Sequence, residues 1–343
     1  MARYFAYVSG ENAELARAEL DSLIRIRDSK ASLTWTGPLA LIETYCEPTS
    51  LLLSRAAMIR EAGSLVAEGH SSDDTMNWIQ DDVLRANIDS SDSFSVRSRS
   101  LTGSREIERR EGLTALLGKR ILQATGARVS LESPDVKMLV VLMPSKTLVC
   151  KSRESLLRRV LRLREPGKKA FFHPSMMNSQ LARVMCNLAG VQPGNIVLDP
   201  FCGGGGILCE IAALGARAIG IDLSWRLLKG ALTNLSQVSL GDSSLIQADT
   251  NMPPLGKQKL DCVVTDPPYG RISSTRGAEA NRLVRAFLER APGMIEKGGR
   301  MCISGSSDMK LGDMLDELEF DVAYHIAVHV HSGLTRDVIT VQF

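Results

Sequence analysis

The first 150 residues mix short alternating apolar runs with helical patterns. "RYFAYVSG" and "SFSVRSRSL" alternate with a period of two, which predicts strands, and "KMLVVLMPSKTLVCKS" predicts a hairpin. "NAELARAELDSLI" and "SREIERREGLTALLGKRILQATG" space their apolar residues as helices do. The same spacing predicts one helix within residues 48–69, ending near Gly63 or Gly69. Together these patterns predict an α+β region over residues 1–150.

From residue 170 the pattern changes to apolar strands that alternate with helices. "NIVLDP", "RAIGID", "SLIQAD" and "LDCVVTDPP" are strand-like runs that each end in an acid. Regular alternation of this kind predicts an α/β fold with a mostly parallel, doubly wound sheet. Ligands of such sheets bind beyond the carboxyl ends of the strands, which is where the acids fall.

Charge is distributed unevenly along the chain, although the net charge is only +2. Residues 1–96 hold 8 Lys and Arg against 15 Asp and Glu, and residues 97–169 hold 18 against 7. A basic cluster predicts a polyanionic partner, most often nucleic acid. The alternative is a solvated helix face that the acidic N-terminal part balances. The patterns divide the chain into domains at 1–90, 91–150 and 170–343, with a basic linker at 151–169.

The cysteine spacing and the apolar runs argue against a disulfide-rich, secreted or membrane-spanning protein. The seven cysteines form no CxxC pair, so we expect neither a metal site nor a disulfide framework, and a reducing, cytoplasmic setting fits best. No signal-peptide pattern begins the chain, and no run of about 18 apolar residues predicts a membrane span.

The strand ends over 199–266 predict the cofactor. Asp199 is followed by four glycines at 203–206, which allow the backbone to approach a ligand closely. The dinucleotide fingerprint fails, because Leu208 stands where its third glycine belongs. An acid before the glycines suits a ligand with an ammonium group, such as S-adenosylmethionine. Asp222 is placed to accept hydrogen bonds from ribose hydroxyls, and Asp249 from an adenine amine. The residues assigned to the cofactor are Asp199, Cys202, Gly203, Gly205, Asp222, Leu223, Asp249 and Asp266.

These motifs resemble those of a known family. "VLDPFCGGGG", "GIDL", "QADT" and "TDPPYG" are similar to the motifs of class I, Rossmann-like methyltransferases that act on exocyclic amines. "FFHPSMMNSQLARVMCNLAG" and "HSGLTRDVITVQF" resemble the archaeal tRNA (guanine-10-N2) methyltransferases. The segment 93–150 resembles a THUMP domain, an RNA-binding module, and residues 1–90 match the family's ferredoxin-like N-terminal part. The resemblance implies methylation of the guanine N2 amine at tRNA position 10, once or twice.

The "TDPPYG" stretch would form the catalytic site that the resemblance implies. Asp266 and the Pro267 carbonyl would accept the two N–H groups of the guanine amine, and Pro268 would help to hold that carbonyl rigid. Tyr269 would stack on the flipped base. The alternative is that Asp-Pro-Pro only ends a strand. Cys202 and Cys262 are discounted as nucleophiles and interpreted as a loop thiol and a buried thiol.

The basic residues provide the expected contacts to tRNA. We assign RNA binding to Arg97, Arg99, Arg105, Arg109, Arg153, Arg158 and Arg336. We expect a monomer, and related eukaryotic enzymes raise the alternative of a small zinc-binding activator subunit. Other open functions are methylation of guanine 6 in tRNA or of rRNA guanine, a DNA amino methylase, and a non-catalytic RNA-binding protein.

Overall fold

The computed structural model describes residues 1–101, 107–238, 243–255, 259–268, 274–331 and 334–343. Contacts divide the chain into two compact units. Unit 1 comprises residues 1–13, 27–54 and 59–155, and unit 2 comprises 14–26, 55–58 and 156–343.

Strands and helices of both units follow one another along the chain with these bounds. The strands are β1 (Ala2–Val8), β2 (Ser32–Thr36), β3 (Leu39–Thr44), β4 (Ile59–His70), β5 (Ser93–Ser100), β6 (Arg128–Val129), β7 (Val136–Leu142), β8 (Lys146–Glu154), β9 (Ile196–Asp199), β10 (Arg217–Asp222), β11 (Ser244–Gln247), β12 (Leu260–Thr265), β13 (Ile295–Ser306), β14 (Asp321–His331) and β15 (Leu334–Gln342). The helices are α1 (Ala13–Arg27), α2 (Thr49–Arg55), α3 (Asp81–Asn87), α4 (Ile107–Thr125), α5 (Leu157–Leu163), α6 (Ser179–Leu188), α7 (Gly206–Ala213), α8 (Trp225–Ser236), α9 (Ser274–Met294) and α10 (Leu311–Glu317).

Unit 1 is built on a sheet of eight strands, sheet 1, in the order β2-β3-β1-β4-β8-β7-β5-β6. Most neighbours are antiparallel, and β5 runs parallel to β7 and β6. Helix α4 buries Leu113, Leu117 and Ile121, which lie four residues apart and so share one face. This face packs in a core with Phe94 and Val140 from the sheet. β4 and β8 pair across the predicted boundary at residue 90, so one sheet spans the two predicted N-terminal domains.

The helix predicted within residues 48–69 is confirmed only as far as Arg55 and is wrong beyond it. Helix α2 ends at Arg55, and residues 59–70 form β4, which pairs with β1 on one side and β8 on the other. A Cβ at Gly63 would lie 1.9 Å from the Lys151 carbonyl oxygen, so this close approach of two strands requires glycine. Pairing within the sheet therefore outweighs the local helical spacing.

The segment 151–169, predicted as a linker, is largely regular structure. Residues 151–154 complete β8, and α5 follows within unit 2. The four-part division of the chain stays a prediction.

Unit 2 is built on a sheet of seven strands, sheet 2, in the order β11-β10-β9-β12-β13-β15-β14. The first five are parallel, and β15 runs antiparallel to β13 and β14. The predicted mostly parallel sheet is confirmed. The core includes Leu198, Val263 and Ile303 of three neighbouring strands, with Phe287 from α9. The apolar strand runs thus form the centre of the sheet, and their carboxyl ends share one edge.

Two N-terminal segments belong to unit 2, which the patterns did not predict. Glu19 of α1 is fully buried and accepts hydrogen bonds from the backbone N–H groups of Ala57 and Met58, both 2.8 Å. The side chain of Asn187 in α6 donates to the same carboxylate at 2.7 Å. Ser22 donates to the Asn187 carbonyl oxygen at 2.9 Å. Segments far apart in sequence therefore complete one hydrogen-bonded network inside unit 2.

Candidate active site

Four acids lie at or just beyond the ends of strands in sheet 2, as predicted. Asp199 ends β9, Asp222 ends β10, and Asp266 follows the last residue of β12. β9 lies between β10 and β12 and runs parallel to both, so these three carboxylates share one edge of the sheet. Asp249 stands two residues beyond β11, is exposed, and accepts a hydrogen bond from the Asn251 N–H at 2.9 Å.

Asp199 is the most deeply buried of these acids, with 1% of its surface exposed. Its Oδ1 accepts hydrogen bonds from the Thr265 hydroxyl at 2.8 Å and from the Phe201 N–H at 3.2 Å. The pKa of Asp199 is raised to about 7, mainly by burial and also by the nearby negative charges of Asp266 and Asp222, while those two hydrogen bonds oppose the rise. Asp199 is thus buried beside two further acids whose charge disfavours its ionised form, and a cation bound there would favour that form.

The glycine turn is tied to the end of β10. Gly203 donates its N–H to Asp222 Oδ2 at 3.0 Å, and Ser224 donates its N–H to Oδ1 at 2.7 Å. Gly203 has φ +51°, and no atom lies within 4 Å of the place a Cβ would take. Gly205 has φ +79°, and a Cβ there would lie 2.9 Å from the Cβ of Ala231 in α8. Gly203 thus leaves open space at its Cα, and Gly205 allows the turn to pack on a helix.

The other residues assigned to the cofactor differ in exposure. Leu223 is 67% exposed, and its carbonyl oxygen accepts a hydrogen bond from the Gln247 side chain at 3.0 Å. Cys202 is buried, and burial raises the pKa of its thiol above the ordinary value. A thiol with a raised pKa is a poor nucleophile at neutral pH, which supports discounting Cys202 as a nucleophile.

Asp266 is held by two partners at the end of β12. Its Oδ1 accepts a hydrogen bond from the Ser304 hydroxyl at 2.6 Å, and its Oδ2 pairs with Arg336 Nη1 at 3.0 Å. Burial raises the pKa of Asp266, and Arg336 and Ser304 oppose that rise. Pro267, which follows, is buried, and Pro268 is exposed. Tyr269 lies outside the described residues.

The basic residues assigned to RNA have several different surroundings. Arg97 pairs with Glu154 at 2.8 Å, and Arg99 pairs with Glu61 and lies over the Tyr7 ring. The other members of the set are Arg109, which pairs with Asp74 at 2.8 Å, Arg153, which is exposed, and Arg158, which is half-buried. Arg336 lies at Asp266, and Arg105 lies outside the described residues. RNA binding by the set stays a prediction.

Three residues at the site were missed. Thr265 and Ser304 are polar residues at the carboxyl ends of β12 and β13, the same signal that identified the acids. Asn234 of α8 donates to the Gly204 carbonyl oxygen at 2.9 Å and accepts from the Phe171 N–H at 2.9 Å. It fixes the segment before α6 to the glycine turn, and no local pattern indicates that role.

The described part of the chain contains neither a metal-binding cluster nor a membrane-spanning helix. Its side chains include no group of three or more His, Cys, Asp or Glu that could hold a metal ion. None of its described helices combines the length and apolar composition that a membrane crossing requires.

The fold and the strand-end site define a Rossmann-like methyltransferase. The family model of the RMKL-like methyltransferase domain, UPF0020, matches residues 166–337. The tRNA (guanine(10)-N2)-dimethyltransferase of Methanothermobacter thermautotrophicus is 32% identical over 339 residues, 98% of each chain. The protein of the same name from Methanocaldococcus jannaschii is 30% identical and covers 96% of this chain and 97% of its own. The chain belongs to the archaeal tRNA (guanine(10)-N2)-dimethyltransferase family, which confirms the resemblance of its motifs.

Solved structures share the fold over the whole length. TrmN from Thermus thermophilus matches with a TM-score of 0.54 and 19% identity, covering 99% of both chains. The methyltransferase SMU.472, in complex with SAH, matches with a TM-score of 0.51 and 14% identity over 99% of this chain and 98% of its own.

Proposed function

We propose that this chain is an S-adenosylmethionine-dependent methyltransferase that modifies the N2 amine of guanine 10 in tRNA, adding one or two methyl groups. The observation that carries the proposal is the buried Asp266, which Ser304 and Arg336 hold directly before two prolines. Relatives named for this reaction match nearly the whole chain, which supports the same substrate here. We expect the reaction in the cytoplasm, where seven unpaired cysteines would stay reduced.

The residues around the glycine turn fit S-adenosylmethionine. That cofactor carries an ammonium group and a sulfonium, and the buried carboxyl group of Asp199, with Asp222 and Asp266 nearby, favours positive charge. We assign the ribose hydroxyls to Asp222, whose two oxygens each accept one backbone N–H and keep a further lone pair. Asp249 and Leu223 would contact the adenine. When bound, the cofactor supplies an electrophilic methyl group on positive sulfur.

The end of β12 would orient the amine of guanine. Each oxygen of Asp266 has one described partner and retains a lone pair for an N–H of the substrate. The Pro267 carbonyl would accept the second N–H, and Tyr269 would stack on the base. The amine is a poor nucleophile because its lone pair is delocalised into the ring, so its orientation matters. Asp266 need only accept a hydrogen bond, because the methylated ammonium loses its proton readily.

The tRNA would be held mainly by the basic segment 97–169, which we propose includes a THUMP module. Phosphate contacts by exposed Lys and Arg give binding that falls steeply with salt concentration. Two of these exposed side chains are Arg97 and Arg153, both in unit 1.

The test is methylation of a tRNA transcript by the purified chain alone, followed by nucleoside digestion and mapping of the methylated position. The matched control is the same tRNA with inosine at position 10, because inosine lacks only the N2 amine. We expect N2-methylguanosine or N2,N2-dimethylguanosine at position 10 and no product with inosine. Product at guanine 6, in rRNA or in DNA would assign the chain to the corresponding alternative. Activity of the isolated chain would also show that no activator subunit is required.

A further inference from the structure

Arg336 comes to Asp266 from a strand that lies two places away in sheet 2. β12 and β13 are parallel neighbours, and β13 pairs with β15 so that Ser304 lies opposite Val338 and Ser306 lies opposite Arg336. The side chains of Arg336 and Asp266 are only 11% and 9% exposed. An arginine used for phosphate contact is normally exposed, so this burial indicates a different role.

Resting on the proposed function, we propose that Arg336 is a positioning residue for methyl transfer. Together with Ser304 it keeps the Asp266 carboxylate ionised and fixed in orientation, so that the carboxylate can accept an N–H of the guanine amine. The assignment differs from the RNA contact that the sequence predicted for Arg336.

The charges around Asp266 make such a partner necessary. Among the described residues, the charged groups that face it are Arg336 from β15 and Asp199 from β9, and the negative charges of the two acids oppose each other. Burial alone favours the neutral carboxyl, which has an O–H to donate and is a weaker acceptor. Arg336 lowers the pKa of Asp266 against that burial, as does the Ser304 hydroxyl.

The loss of Arg336 should therefore depend on pH. Without the cation the pKa of Asp266 rises, because Arg336 is the largest influence that lowers it against burial. Since the ionised form is the active one, activity is lost most at low pH and recovers as pH rises through the new pKa. We expect Arg336→Gln to slow transfer on the order of 100-fold at neutral pH, with partial recovery at alkaline pH.

Single-turnover methyl transfer at saturating tRNA and cofactor, from about pH 5.5 to pH 9.5, measures this effect. Arg336→Lys keeps the charge but not the planar fork, so its acid limb should lie nearer that of the wild type. Asp266→Asn should be slow at every pH because it has no carboxylate to ionise. A rate for Arg336→Gln that is reduced equally at every pH would leave only a structural role and would overturn the proposal.

Affinity for tRNA distinguishes positioning from RNA contact. Arg153→Ala is the matched control, because Arg153 is an exposed residue of the predicted RNA set. We expect Arg336→Gln to leave the Kd for tRNA and its salt dependence close to the wild type. A normal rate at saturation with weaker, less salt-dependent binding would restore the RNA assignment and overturn ours.

A measurement on Asp266 itself separates this inference from the proposed function. The 13C NMR titration of its labelled carboxyl, assigned by loss of the signal in Asp266→Asn, should show a higher pKa in Arg336→Gln and in Ser304→Ala than in the wild type. If the wild type fails to methylate tRNA while this shift is present, the proposed function fails and the pairing stands. If the pKa is unchanged, the inference fails whatever the substrate is.

Discussion

Sheet 1 and sheet 2 differ in where their charged side chains lie. Several ion pairs of unit 1 are on the surface: Arg97 with Glu154 and Arg3 with Glu68 join side chains that are each more than a third exposed. At the strand ends of sheet 2 in unit 2, by contrast, Arg336 and Asp266 form a pair whose side chains are nearly buried. Surface pairs contribute little individually and exchange easily for phosphates, whereas a buried charge depends strongly on its partner.

This difference predicts two kinds of mutational response. A change to one carboxylate at the strand ends of sheet 2 should have a large, specific effect on cofactor binding or on transfer. A change to one exposed Lys or Arg side chain of unit 1 should weaken tRNA binding slightly and in a salt-dependent manner. The following experiments test that contrast, from the largest expected effect to the smallest.

Asp266→Ala should reduce methyl transfer by at least about 100-fold at saturating tRNA, because it removes the acceptor that orients the amine. The affinity for tRNA should change little. Single-turnover rates and a binding titration measure the two quantities. Tyr269→Ala should be slower than the wild type but faster than Asp266→Ala, since stacking is worth about 1–3 kcal/mol per base. Tyr269→Phe, which keeps the ring, should be mild. A near-wild-type rate for Asp266→Ala would mean that the "TDPPYG" stretch has no role in orienting the amine and only ends a strand.

Asp222→Ala should weaken cofactor binding by roughly 10- to 150-fold, as expected for loss of about 1.5–3 kcal/mol from a charge-assisted acceptor. Calorimetric titration with S-adenosylhomocysteine measures the change. Asp222→Asn is the matched control, because its amide oxygen can still accept from the Gly203 N–H. Unchanged affinity in Asp222→Ala would remove the ribose assignment.

Cofactor affinity should rise with pH because of Asp199. Its pKa of about 7 in the folded protein is above the ordinary carboxyl value of 3.8, so the stability linked to this group is fully present below pH 3.8 and is lost as pH rises through the folded pKa. A bound cation favours the ionised form, so affinity for S-adenosylhomocysteine should increase by up to about 10-fold between pH 6 and pH 8. The same titration with Asp199→Asn should be flat. An equal slope in both proteins would place the titrating group elsewhere.

Substitution of a single exposed arginine of unit 1 should have the smallest effect. Arg97→Ala and Arg153→Ala should each lower tRNA affinity by a few-fold and reduce the slope of log K against log salt by about 1. Transfer at saturation should stay at the wild-type rate. A loss in the rate itself, without a change in affinity, would contradict the division of roles between the two units.

The predictable parts of this molecule are those whose signal is local. Asp199 and Asp222 directly end apolar runs, so one short stretch reveals both the strand and its functional end. β4 was missed because its conformation depends on pairing with β1 and β8, and no local pattern records a partner 90 residues away. The contact between Arg336 and Asp266 was not predicted for a related reason, since the two residues are 70 positions apart and no local pattern joins them. Glu19 resembles any exposed acid of an amphipathic helix until Asn187 is placed against it.

The network around Glu19 bears on how the protein folds during its synthesis. Glu19 and its partner Asn187 are separated by 168 residues. At about 5–20 residues per second, the ribosome delivers α6 roughly 8–34 s after α1. In that interval α1 has emerged without its partner, and a helix of 15 residues is marginal alone in water. Unit 2 therefore cannot complete its fold until its last segment has been synthesised. Because its three segments are interrupted by unit 1, truncating the chain at one position cannot yield unit 2 intact.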